Sequence, residues 1–319
     1  MTDPIAAALR RHRLRWFEAI PWIAALGVYF GFGDQLPFFS QMLITILFAL
    51  SLDLVLGFAG IITLGHAAFY GAGAYAAGIY AIHVSTEPLS GLLVAAVAGA
   101  AIGVGSGLII LRTRGLTQLM LTLAIATLLA EAANKASFIT GGNDGLQGIE
   151  IDPIGGLFRF DMFGRTGYLY CLVVLFCCWA VLRVLLASSF GQSLVGIREN
   201  VTRMHAIGAP VAGRLLIAYA IGAAMAGIAG GLLAQTTQFV GQSVLSFERS
   251  GEIVVMLVFG GIGRIYGAFI GVAIYMIAQD QLAKSQPEFW NFWIGALLVL
   301  TVLFARGGVL GLLDKVRRR

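Results

Sequence analysis

The sequence predicts an all-α, polytopic membrane protein, on three observations. Hydrophobic residues make up 59% of the 319 and charged residues only 12%. A soluble domain carries roughly 25% charged residues and has no means of hiding so apolar a surface from water. The apolar residues are gathered into stretches of membrane-crossing length, as a helix needs about 20 residues to span a bilayer. Glycine is abundant, at 42 residues, which suits helices that pack backbone to backbone in lipid. A soluble enzyme and a disordered chain are excluded together.

Taken in order, the apolar stretches fall near 17–32, 38–56, 61–82, 90–111, 116–134, 167–187, 215–234, 251–263, 267–281 and 290–305. The first contains Glu18 and Pro21 and is followed by further spans, so it reads as a transmembrane helix rather than a cleaved signal. The segment 251–263 is too short to cross upright, which makes it half of a broken or re-entrant pair with 267–281. The expectation is about eight to ten crossings in a single domain over 1–319. With the N-terminus inside, all but Lys135, Arg159, Arg165, Arg249 and Lys284 of the 21 basic residues fall on the inner side. That asymmetry predicts both termini in the cytoplasm. It also explains the net charge of +5 and the clusters Arg10–Arg15 and Lys315–Arg319 without a nucleic-acid partner.

Two connections are long. Residues 139–165 form an outer loop rich in Gly and Asp, and residues 188–214 an inner one. Within the inner loop Leu194, Ile197, Val201 and Met204 share a helical face, which predicts one amphipathic helix over about Leu194–Ile207. Such a helix suits a groove in a partner or anionic lipid headgroups. Gly57–Tyr75 and Gly260–Tyr275 echo one another loosely as glycine-broken apolar runs. Paired interrupted helices mark a pathway between structural repeats in many transporters.

No soluble catalytic motif is present: neither a P-loop nor the zinc-protease or nucleophile-elbow patterns. His12, His66, His83 and His205 lack ligand spacing, and Cys171, Cys177 and Cys178 lie in one apolar stretch as small buried hydrophobes. No cofactor is expected in this chain. Ionisable groups inside apolar stretches are costly and point to function by default. Asp53, His66 and Glu131 are the candidates, with Asp280 near a predicted helix end. Each has a plainer reading as a group reaching headgroups or a neighbouring helix. Gly71 and Gly73 read either as a close-packing face or as part of the pathway, and Gly57, Gly60 and Gly65 as helix breakers.

The run Leu64-Gly65-His66-Ala67-Ala68-Phe69-Tyr70-Gly71-Ala72-Gly73-Ala74-Tyr75 resembles a signature of bacterial ABC-importer permeases for branched-chain amino acids. Arg114-Gly115-Leu116, Thr140–Leu146, Ile197-Arg198-Glu199 with Ala206-Ile207-Gly208, and Val258–Gly267 follow in the family's order. The long outer loop looks like the M-type permease subunit. Arg203, Met204 and Arg264 stand where the family carries small residues. The resemblance implies an inner-membrane permease working with two ATPase subunits, a second permease subunit and an extracytoplasmic solute-binding protein. Arg198, Glu199 and Gly208 would belong to the loop that couples to the ATPases. Asp53, His66, Gly71, Gly73 and Glu131 remain candidates for the pathway. A proton-coupled secondary transporter, with Asp53, His66 and Glu131 as a relay, is the alternative.

Overall fold

A computed structural model of the chain describes residues 19–153 and 164–285, together with 287, 289, 292–296, 299 and 308–311. Both terminal basic clusters, Arg159, and most of the predicted span 290–305 lie outside the described residues.

The described residues are helical almost throughout. Pro21 opens α1 (Ile20–Gly31) and Pro37 opens α2 (Leu36–Leu52), both at the first turn, where the missing N–H has no partner to lose. A π turn, Asp53–Phe58, extends α2. Then come α3 (Ala67–His83), α4 (Pro88–Ile110), α5 (Leu116–Lys135), α6 (Arg165–Ala187), α7 (Ser189–Glu199) and α8 (Val201–Ala206). The last three are α9 (Val211–Thr237), α10 (Phe247–Gly260) and α11 (Ile265–Ser285). Among the described residues six helices are long and apolar enough to cross a membrane: Leu36–Phe58, α4, α5, α6, α9 and α11. One shorter apolar helix, α1, and two further helices, α3 and α10, accompany them.

Two expectations need correction. The stretch 61–82 is not one helix. After the π turn Gly60 takes φ +73, a left-handed conformation that suits glycine, and regular helix resumes only at Ala67. The loop helix expected over Leu194–Ile207 is two helices. Asn200 leaves helical geometry at φ −156, ψ 98, and its side chain accepts from the Arg203 backbone N–H at 2.9 Å. A residue that caps a new helix ends the old one.

Helix α9 occupies the centre, packed on α2, α3 and α4. A Cβ at Gly73 would stand 2.6 Å from the Gly227 carbonyl carbon, and one at Gly230 would stand 2.8 Å from the Ala74 nitrogen. Helices α3 and α9 therefore touch backbone to backbone, which maximises dispersion contact where lipid offers no hydrophobic drive. On the periphery, Leu116, Met120 and Leu128 of α5 and Ile23 and Phe30 of α1 stay exposed, as befits side chains facing acyl chains.

The connections sort to two ends. At one, Leu146 pairs with Val240 as an isolated antiparallel bridge, the Asp152 N–H donates to the Thr86 carbonyl at 3.0 Å, and Thr86 Oγ1 bonds the Asp152 carboxylate. At the other, α7 lies under the π turn and the 261–264 connection. This matches the separation of the described part of loop 139–165 from loop 188–214 read from the sequence.

Candidate functional site

The 23 residues Leu36–Phe58 measure about 34 Å at ~1.5 Å per residue, the thickness of a bilayer core. Phe48 stands near their middle. Its ring stacks on His66, 5.6 Å between centroids, and on Tyr70 at 4.6 Å. The chain leaving Phe58 therefore climbs back along α2, and α3 starts level with the middle of the Leu36–Phe58 span. Backbone without helical partners is tolerated at that depth only when protein satisfies it. Here Thr122 of α5 accepts from the Leu64 N–H at 3.3 Å, Thr63 from Gly65 at 3.2 Å, and Ser250 of α10 from Ala67 at 2.9 Å. A Cβ at Gly65 would stand 2.9 Å from the Thr122 carbonyl carbon, so glycine is required for the climb.

His66 is buried. Ser51 Oγ donates to the Phe48 carbonyl at 2.6 Å and contacts His66 Nε2 at 2.9 Å. With the hydroxyl proton on the Phe48 carbonyl, Ser51 Oγ is free to accept from a protonated Nε2. Nδ1 is buried without a hydrogen-bond partner. The ring also meets Phe69 edge-on at 5.5 Å.

Asp53, 1% exposed, joins the two glycine-broken runs. Its Oδ1 accepts from the Gly263 N–H at 2.7 Å, immediately before α11 begins. A carboxylate at a helix N-terminus meets the positive end of the helix dipole. Arg198 of α7 reaches the same place: its Nη1 donates to the Gly57 carbonyl, and its charge acts on Asp53. A Cβ at Gly60 would stand 2.6 Å from Arg198 Cγ, and one at Gly263 would stand 2.9 Å from its Nη1. One arginine thus sits against both breaks while the carboxylate ties them together.

The remaining candidates lie apart. Glu199 and Gly208 are exposed; Gly208 takes φ +77 with open space around it. Leu194 and Ile197 are buried, and Met204 folds back on Gly196. Gly73 belongs to the α3–α9 contact, whereas Gly71 faces Leu245 and Val244, with a Cβ 3.3 Å from Val244 Cγ2. Glu131 is exposed on α5, and Asp280 pairs with Lys284 at 2.6 Å. Among the described residues no hydrogen bond links Asp53, His66 and Glu131 into a relay, and no group of His, Cys, Asp or Glu could hold a metal. The three cysteines are free.

Sequence reasoning passed over Ser51, Thr122, Ser250 and Gly263, whose partners are distant in the chain. It also passed over Arg249, which pairs with Glu252 at 3.1 Å and lies over the Tyr70 ring at 5.9 Å. The signal was present: three charges, Glu248, Arg249 and Glu252, open an otherwise apolar segment.

A bundle of membrane-length helices, with two interrupted runs tied together beside a loop of short helices, has the construction of a membrane transport protein. The family described as "Branched-chain amino acid transport system / permease component" matches residues 36–302, and the chain belongs to that family. It is a permease subunit rather than an enzyme. Among curated relatives it is similar to the high-affinity branched-chain amino acid transport system permease protein LivM of Escherichia coli (strain K12). The two are 27% identical over 84% of this chain and 68% of that protein. LivM of Salmonella typhimurium is 26% identical over 85% and 68%. The autoinducer 2 import system permease protein LsrC of Escherichia coli O9:H4 is 26% identical over 50% of this chain and 47% of that one. No solved structure matches the chain.

Proposed function

We propose that this chain forms one half of the membrane pore of an ATP-driven importer of branched-chain amino acids or related small polar solutes. It sits in a bacterial inner membrane with both termini cytoplasmic. Two ATPase subunits dock on residues 188–214, a second permease subunit completes the pore, and a solute-binding protein delivers its cargo near 139–165. Arg198, Glu199 and Gly208 carry the coupling, and lipid covers the peripheral helices.

The contact of Arg198 with the Gly57 carbonyl is the observation that carries this reading. A ligand or partner shifts a conformational equilibrium only through contacts that differ between the states. A push on α7 reaches Gly57 directly, and through Asp53 it reaches Gly263 and α11. Exposed Glu199 and Gly208 leave the outer side of the loop free for ATPase contact. The LivM relatives support amino acids as cargo, while the LsrC relatives show that similar permeases serve a different solute. Proton coupling is disfavoured because among the described residues no hydrogen bond links Asp53, His66 and Glu131.

The test is uptake by the complete complex in proteoliposomes. Replacing Glu199, or Gly208 by a β-branched residue, is expected to leave the complex assembled and hydrolysing ATP while uptake falls about tenfold or more, since each 1.4 kcal/mol of lost coupling is tenfold. Unchanged uptake by both variants sinks the coupling assignment. Uptake that survives ATP depletion and stops with an uncoupler favours the proton-driven alternative.

A further inference from the structure

We propose that Arg249 and Glu252, with the face of Tyr70 beside them, form a mid-membrane subsite for the charged head of a zwitterionic α-amino acid. The guanidinium takes the carboxylate and the Glu252 carboxylate takes the ammonium. The proposal rests on the importer reading above and assigns residues to the passage itself.

Depth comes first. Tyr70 stacks on Phe48, near the middle of the Leu36–Phe58 span, and Arg249 lies over the Tyr70 ring. The next residue, Ser250, accepts from the Ala67 N–H at the start of α3. The first turn of α10 is therefore held at mid-membrane, while its far end, Gly260, leads into the connection at Asp53 and Gly57. Helix α10 is a half-span whose N-terminus opens in the membrane interior.

Exposure comes second. The Arg249 and Glu252 side chains keep 32% and 35% of their surface accessible. Charges at that depth are found facing a water-filled path or a protein partner, not acyl chains. Gly251, between them, has nothing within 4 Å of where a Cβ would stand, so there is room beside the pair. Phe247, half-exposed on the same turn, offers an apolar surface for an aliphatic side chain.

Chemistry comes third. The two charges neutralise each other at 3.1 Å. A zwitterion carries the complementary pair on one carbon, so it can replace that ion pair with two charge-assisted bonds and leave neither Arg249 nor Glu252 unpaired. The site would bind weakly and release readily, because the ion pair re-forms behind the departing solute. The α3 and α10 N-termini converge there and add positive potential for the carboxylate.

The experiment uses the complete importer in proteoliposomes, with radiolabelled L-leucine as probe and ATP on the ATPase side. ATP-dependent uptake by the wild type tests the parent reading by itself; if it fails, that reading has failed. Given uptake, Arg249→Gln and Glu252→Gln are each expected to lower the maximal rate about tenfold or more, and Arg249→Lys to restore part of it. Subunit co-purification, thermal stability and ATP hydrolysis stimulated by the binding protein should stay as in the wild type. In a chain with Cys171, Cys177 and Cys178 changed to Ser, the thiol of Gly251→Cys should react with a membrane-impermeant methanethiosulfonate. Wild-type uptake by both neutral variants overturns the proposal. So does a thiol that never reacts. Loss of co-purification in both neutral variants would instead make the pair a contact between permease subunits, and overturns it too.

Discussion

Gly71 and Gly73 look alike in the sequence and differ in what surrounds them. A side chain at Gly73 runs into the backbone of Gly227, which has no way to yield without separating α3 from α9. Gly73→Leu is therefore expected to lose folded protein, with a penalty of roughly 1–3 kcal/mol or more. At Gly71 the obstacle is the Leu245 side chain, which can change rotamer, so Gly71→Ala should fold. Expression level and thermal unfolding of the two purified variants measure the difference; equal stability contradicts the packing assignment. Ser51→Ala leaves the buried Nε2 of His66 without its hydrogen-bond partner, for an expected loss of about 1–3 kcal/mol. A melting curve like that of the wild type would count against it. The small-residue pattern made Gly73 legible as a packing residue. Nothing local announced Ser250, because the amide that it accepts from is 183 residues away.

At the scale of elements, the two glycine-broken runs are joined by Asp53 and reached by Arg198. Asp53→Asn keeps an acceptor for the Gly263 N–H and removes the charge facing Arg198. Asp53→Leu removes both and leaves a buried donor unpaired, at about 1–3 kcal/mol. The order expected for uptake is wild type, then Asn, then Leu. Arg198→Ala should behave as a coupling lesion, with ATP hydrolysis retained and transport reduced several-fold. Hydrolysis and uptake measured on the same vesicles separate these outcomes; proportional loss of both points to misassembly instead. The spans 38–56, 90–111, 116–134, 167–187 and 215–234 were legible because apolar length alone sets them. The climb from Phe58 to Ala67 was not, since its residues are as apolar as those of a helix. Only Gly57, Gly60 and Gly65 hinted at it. The division of the inner loop at Asn200 was missed because the apolar spacing runs on through it while the cap depends on a side-chain bond.

For the whole molecule, the membrane class followed from composition before any motif was read. The function was legible through the ordered run of motifs from Leu64 to Gly267, which the family match over 36–302 bears out. The Arg249–Glu252 ion pair was not, because its surroundings are a property of packing: the sequence marks Arg249 only as an outer-side charge, and the fold lays it over the Tyr70 ring. Taken whole, the molecule gathers its two breaks and the loop proposed for coupling at one end. On the proposed function its motion is driven by ATPase partners. The most direct measurement is leucine uptake into vesicles carrying this permease with its permease partner, in the presence and absence of the ATPase subunits. Uptake against a gradient that requires the ATPases and ATP is the predicted result. Accumulation by the permease chains alone would contradict the account.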